Sequence, residues 1–386
     1  MPAGAVAPPS PASTGSSIPR YGDDLETYGS PTALWAAVPA RAAEAQRLVR
    51  QEGMLFAAFV QLTGGAILTG FALALGAGPA AISLLTSLPL LARLSQLYIS
   101  WRIERAGHWP RSAIRGAIVG RLTVGIAVVV VFLPLPDPVR LAVLIAAMTV
   151  SAIGTATFEL AFLSWMAELV PSRIRNAFFA NRSRTMGVFG MAMALAAAAL
   201  LDGWRRAHPG SLTGFAVVFT FAMALGAVSL LVMRKVPHPR RQQSRMEEVR
   251  LRDALAGPAR DRNFRPLLYF GGVFGVGIGL LSPHLTVYLL QELHLSFMAV
   301  TALAAASAVT SAMTNAWWGR LGDHFGTKTV VYAGALLLCT NPLMMLGVPA
   351  AGVWLVVAMH VISGVATGAF ASPTHTLILS VATPAQ

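Results

Sequence analysis

The chain has 386 residues, of which 55% are hydrophobic and only 12% are charged, with a mean hydropathy of +0.63 and a formal net charge of +13. An average soluble domain is roughly a quarter charged, so an ordinary water-soluble globule is excluded and an all-α, polytopic membrane protein is indicated. Where the positive charge falls, traced below, also excludes nucleic acid as its partner.

Residues 1–52 read as a cytoplasmic tail. The first 32, rich in Pro, Ala, Gly and Ser, have the composition of a disordered segment and lack the cationic start of a cleaved signal peptide. From Pro39, "PARAAEAQRLVRQEG" predicts a helix with Arg41, Glu44, Arg47 and Arg50 on its polar side, a candidate for lying in the membrane interface. About 20 apolar residues, rising 1.5 Å each, cross a ~30 Å hydrocarbon core as helix. Ten stretches meet that requirement: 53–76, 79–101, 113–134, 138–168, 178–201, 211–233, 266–291, 298–318, 329–348 and 352–380. The first six form an N-terminal bundle over 53–233. A basic linker follows at 234–265, and four more helices occupy 266–386. The single cysteine, Cys339, lies within a span; it excludes an intrachain disulfide and is expected as a small buried hydrophobe.

Charge sets the orientation. Of the 29 Lys and Arg, all but five lie in the tail, in 102–115, 173–184 and 320–328, or in the linker. Those five are Arg140, Arg205 and Arg206 in the alternate connections, and Arg93 and Arg121 inside spans. Cationic connections stay cytoplasmic, so both termini are expected there. The basic charge reports topology and contact with anionic lipid. Lys235 and Lys328 are the only lysines; with abundant Ala and Gly, this Arg preference fits a GC-rich bacterial genome and hence a bacterial inner membrane.

Two connections correspond. "SWRIERAGHWPR" (100–111) follows the second span of the first half, and "WWGRLGDHFGTKTVV" (317–331) follows the second span of the second half. Matching Glu104-Arg105-Ala106-Gly107 to Asp323-His324-Phe325-Gly326 sets a repeat offset of 219 residues, about one half of a duplicated transporter. "GRLGDHFGTK" resembles the loop motif G-x-L-x-D-R-x-G-R-K of the major facilitator superfamily, matching at Gly319, Leu321, Asp323, Gly326 and Lys328, with His324 and Thr327 in place of two Arg. "ELVPSRIRNAFFANRSR" (168–184) also looks like loops of bacterial members. The resemblance implies a two-half bundle of six plus six helices, a small solute as substrate and transport by alternating access. Glycines there let a turn approach helix ends closely, and Asp323 is favourable beside a helix N-terminus or a cation. Gly319, Leu321, Asp323, Gly326 and Lys328, with Glu104 and Gly107 in the first half, are therefore expected to act as a conformational latch. The alternative is an Asp323–Lys328 pair in a solvated loop.

Charges inside spans are costly and usually face a bundle interior or aqueous path. Glu159, in "GTATFELAFLSW", is expected to pair with Arg93, or alternatively Arg121, as a functional charge pair; a permanent internal salt bridge is the other reading. Arg121 is shallower and could snorkel. The superfamily resemblance implies that the first, fourth, seventh and tenth spans line the cavity. It makes Gln61, Thr63, His284, Ser372, Thr374 and His375 cavity candidates, against simple interhelical hydrogen bonding. Trp317 and Trp318 are expected to anchor a span at the headgroups, and Gly364 and Gly368 to permit close helix packing.

The drug–proton antiporter motifs of the fourth and fifth spans are missing, which argues against multidrug export, and no sugar-porter signature stands out. There is no phosphate-cradling loop, metal cluster or nucleophile constellation, so no enzyme, cofactor or metal is expected. Aligning Pro171 with Pro384 puts Gln386 opposite position 173, leaving ten spans of an expected twelve, as in a truncated gene product. The expected function is secondary transport of a small solute, as symporter or antiporter, with protons a candidate co-substrate and the lipid bilayer the other partner. The alternative is a non-transporting membrane scaffold or sensor.

Overall fold

The computed structural model describes residues 40–106, 109–170, 172–237, 262 and 265–382. Twelve α-helices run through them: α1 (Ala40–Leu62), α2 (Gly65–Ala74), α3 (Pro79–Ala106), α4 (Trp109–Leu122), α5 (Gly125–Phe132), α6 (Asp137–Leu169), α7 (Ser172–Ala207), α8 (Thr213–Arg234), α9 (Arg265–Val287), α10 (Phe297–Phe325), α11 (Thr327–Ala351) and α12 (Val353–Ala382). A π-helical turn, Tyr288–Glu292, extends α9. An all-helical chain is what a bilayer demands, because each backbone N–H and C=O must be satisfied within its own segment.

Eight stretches of the described residues are long and apolar enough to cross a membrane, and two of these join consecutive helices, α1 with α2 and α4 with α5. The other two expected spans, 79–101 and 266–291, fall on α3 and α9, helices of 28 and 23 residues. Most of the 1–52 tail and most of the linker lie outside the described residues. Where α1 is described it does not lie apart in the interface. It runs unbroken into the first span with Ala45, Gln46 and Val49 buried, so the expected interfacial helix and that span are one helix as far as Leu62.

The first span is interrupted between α1 and α2, where Gly65 takes a φ of +52°, a value glycine tolerates best. Helices α1–α8 share one large apolar core, with Phe56, Phe59, Phe71, Phe158, Trp165 and Phe219 buried in it. Backbone contact between α4 and α6 is possible only because Gly116 and Gly120 face Gly154: a methyl added at Gly154 would lie 2.5 Å from the Gly120 nitrogen. Helices α10–α12 pack around smaller apolar clusters. One contains Leu289, Val300, Leu303, Val348, Val356 and Met359, the other Trp318, Val330 and Ala369. The close approach expected at Gly364 and Gly368 is present, where α12 lies on Ser307, Thr310, Ser311 and Thr314 of α10. The aromatic cluster of Phe270, Phe274, Tyr332 and Phe370 ties α9 to α11 and α12.

Two expectations change. Cys339 is exposed on α11, on a face turned away from the neighbouring helices, and is not buried. Trp318 is 6% exposed and donates Nε1–H to the Val365 carbonyl at 2.9 Å, locking α10 to α12, so only the exposed Trp317 remains placed as a surface anchor.

Candidate functional site

Charge inside an apolar bundle is costly, and two constellations of opposite character carry it. In the first, Arg93 on α3 and Glu159 on α6 approach to 3.9 Å between Nη2 and Oε2, with side chains 63% and 41% exposed. That separation is too long for a hydrogen bond. Beside them the Gln96 amide crosses from α3 to the Ala156 carbonyl of α6 at 3.0 Å, fixing the register of the two helices. The pair is loose, and its side chains are only partly covered by neighbouring protein.

The second constellation was not visible in the sequence. Glu52 on α1 is fully buried, and its carboxylate accepts from Arg121 Nη2 at 2.7 Å, Arg182 Nη2 at 3.1 Å and Ser229 Oγ at 3.2 Å. Four helices, α1, α4, α7 and α8, meet there. Arg121 therefore does not pair with Glu159 and does not snorkel; its guanidinium sits 5.0 Å from the Phe56 ring centroid and 4.9 Å from that of Phe158. Arg182 lies 4.6 Å over Phe162. Such faces supply part of the solvation that water would give a cation. Gly53 makes room, because a side chain there would strike Arg182 Nε at 2.9 Å. The missed signal was the dipeptide Glu52-Gly53 at the edge of the apolar run: hydropathy put the boundary at 53, one residue beyond the carboxylate that holds the first half together.

The expected latch has a different form from the loop drawn for it. Gly319 to Phe325 belong to α10, and the turn consists of Gly326 alone, at φ +85°. It serves as C-cap of α10 and N-cap of α11. Gly319, Asp323 and Lys328 are exposed, while Leu321 packs against the Trp318 cluster. Among the described residues Asp323 has no ion-pair partner, Lys328 included. The side chain of Glu104 and all of Gly107 lie outside what is described.

Of the cavity candidates, Gln61 and Thr63 flank the break between α1 and α2. Gln61 is exposed, and Thr63 Oγ1 donates to the Phe59 carbonyl at 2.8 Å. His284 is exposed near the end of α9. Ser372, Thr374 and His375 lie on α12, their side chains outside the described residues.

The first eight helices and the last four meet mainly through α7 with α10, α3 with α9, and α2 with both α9 and α10. Define the linker end of the bundle as the one from which α8 exits at Arg234, and the far end as the opposite one. At the far end Asp202 of α7 accepts the backbone N–H groups of Phe297 at 2.9 Å and Met298 at 2.8 Å, the first turn of α10. The Arg205 guanidinium and the Phe215 ring meet the Phe297 side chain at the same end.

A polytopic helical membrane protein of two packed sets, charged sparingly within its spans, is the class these features define. The sequence profile of the Major Facilitator Superfamily matches residues 53–386, and the chain belongs to that family. The fold is similar to solved transporters. The nucleoside transporter NupG, as a point mutant, superposes with a TM-score of 0.65 at 14% identity, over 89% of this chain and 84% of NupG. A bacterial homologue of the human lysosomal transporter Spinster, inward-facing and unoccupied, gives 0.61 at 16%, over 90% and 77%. The Escherichia coli xylose transporter XylE, partially occluded and inward-open, gives 0.56 at 16%, over 88% and 87%. No curated protein matches in sequence.

Proposed function

We propose that this chain is a secondary transporter that moves a small solute by alternating access, with Glu159 and Arg93 as the exchangeable charge pair. The observation that carries the reading is the contrast between the two charge sites. The Glu52 cluster is sealed and hydrogen-bonded; the Arg93–Glu159 pair is open, unbonded and set between α3 and α6 beside the Gln96 amide. A charge kept in so costly a setting without tight pairing is suited to exchange partners. Glu159 would take up a proton or release Arg93 to a solute as the site changes sides. Gln61 and Thr63, beside the break in the first span, supply the polar lining that discontinuous helices offer in transporters.

Orientation follows from the cations. The linker end carries the tail and linker charges and is the cytoplasmic face of a bacterial inner membrane. At the far end Arg140 is engaged by Asp137 at 3.3 Å and by the Leu133 carbonyl at 2.6 Å, and Arg205 lies 5.3 Å over the Phe297 ring. These two are committed to local structure, which leaves the asymmetry sharper than a simple count.

The test uses the full chain in proteoliposomes carrying a pH-sensitive dye, challenged with a panel of uncharged and anionic solutes that includes a nucleoside and a pentose. Saturable solute-dependent flux is expected, and Glu159→Gln abolishes it or separates it from proton movement. Flux by Glu159→Gln identical to wild type at every pH refutes the role of Glu159. Absence of saturable flux across the panel favours the scaffold reading.

A further inference from the structure

The contact between the two sets at the far end is built like a catch. The first four N–H groups of a helix have no partner within it, and the positive end of the helix dipole favours a carboxylate. In α10, Ser296 satisfies one of them, accepting from Ala299 N–H at 3.1 Å. Asp202, reaching across from α7, satisfies those of Phe297 and Met298. The α10 helix is thus capped partly by its own chain and partly by the opposite half.

The Phe297 side chain completes the contact. It is 2% exposed and belongs to the apolar core of the first eight helices, not to those of its own half. Its ring lies directly over Gly70 of α2, where any side chain would overlap it. Phe215 of α8 meets it edge-on at 5.8 Å, and the Arg205 guanidinium covers it. A single helical turn therefore presents two donors to a carboxylate and a ring to a socket. Both receptors belong to the other half.

Two features make the contact breakable. Asp202 is buried but only five residues from the end of α7 at Ala207, so drawing the halves apart at this end opens the carboxylate and both N–H groups to hydration. The remaining socket is small, in contrast to the Glu52 cluster, whose partners all lie inside one half. We propose that Asp202 and Phe297 form a reversible latch that holds the far end of the bundle shut and releases when the linker end closes. This rests on the alternating-access reading given above. It accounts for Asp323 and Lys328 at the linker end having no ion-pair partner among the described residues: with the far end latched, the linker-end contacts are the ones released.

The experiment measures conformation without needing a substrate. In a Cys339→Ser background in lipid nanodiscs, spin labels on the exposed residues His208 and His294 report the far end, and labels on Ser183 and Thr329 report the linker end. Asp202→Ala removes two charge-assisted hydrogen bonds, and a shift of on the order of tenfold in the ratio of the two populations is expected. Far-end distances lengthen while linker-end distances shorten. Phe297→Ala shifts both in the same direction, and Asp202→Asn, which keeps the shape, gives a smaller shift and serves if the alanine variant fails to fold. Distances unchanged at both ends, or a far end that loosens with no response at the linker end, overturns the latch. The outcomes separate the two proposals: shifted distances without solute flux retain the latch and remove transport, whereas flux with unshifted distances does the reverse.

Discussion

Replacing Glu52 with Gln keeps the side-chain shape and removes one negative charge from a site that holds two guanidinium groups. The variant leaves Arg121 and Arg182 buried together, with one neutral acceptor where a carboxylate had bonded both, at 2.7 and 3.1 Å. Removing one partner of a buried ion pair costs about 3–5 kcal/mol, because the remaining charge stays desolvated. The aromatic faces of Phe56, Phe158 and Phe162 persist, each worth about 0.5–2 kcal/mol to a cation, but they are present before and after and do not offset the loss. Against a total stability of about 5–15 kcal/mol, the expected result is a bundle that survives extraction poorly and melts well below wild type. Arg182→Met should be milder than Glu52→Gln, since it leaves one cation facing one carboxylate. Thermal unfolding of purified protein in detergent, followed by size-exclusion of the heated samples, measures both. If Glu52→Gln melts with wild type, or if Arg182→Met is the more damaging, the charge argument fails.

Two smaller predictions test how the helices meet. Gly154→Leu forces α6 off α4, where the Gly120 backbone nitrogen lies 2.5 Å from the added Cβ, and overpacking of this kind costs typically 1–3 kcal/mol and occasionally more; detergent melts and yield of monodisperse protein report it, and an unchanged melt refutes the close approach. Trp318→Phe removes the hydrogen bond to the Val365 carbonyl and should cost about 1 kcal/mol, whereas Trp317→Phe should leave the melt unchanged; equal effects would show that neither indole is used as described.

Hydropathy was a sufficient guide to the helices because lipid leaves the backbone no alternative. The expected span at 138–168 lies within α6, and that at 211–233 overlaps α8 from Thr213 onward. What it could not supply was partnership. Arg121 stood as the alternative partner of Glu159 only because both are charges inside spans, and only the rotation of α4 decides which neighbour Arg121 faces. The structure turns it toward α1, where Glu52 is the last residue of the expected tail. The glycine-rich motif failed in the other direction. Gly319 and Gly322 look like loop formers in isolation, yet they continue α10 because a helix costs glycine less than an unsatisfied backbone does near lipid. Only Gly326, with its positive φ, makes the turn.

A transporter that rocks two halves needs some charges that never move relative to their partners and others that do. The four-helix junction at Glu52 serves the first need: its carboxylate is shared by α4, α7 and α8, so any shear within the first half would strip a buried cation of its counter-charge. That penalty makes the half move as one body. The Asp202 contact spans the boundary between the sets and rests on one carboxylate and one ring, so its rupture is inexpensive by comparison. If the order were reversed, with the two-cation cluster across the boundary and the smaller contact inside a half, the halves would be soft and the gate frozen. Placement relative to the boundary thus separates the contact that can stiffen a half from the one that can part between the halves, whereas the Arg93–Glu159 pair, inside the first half, is set apart by its loose 3.9 Å geometry.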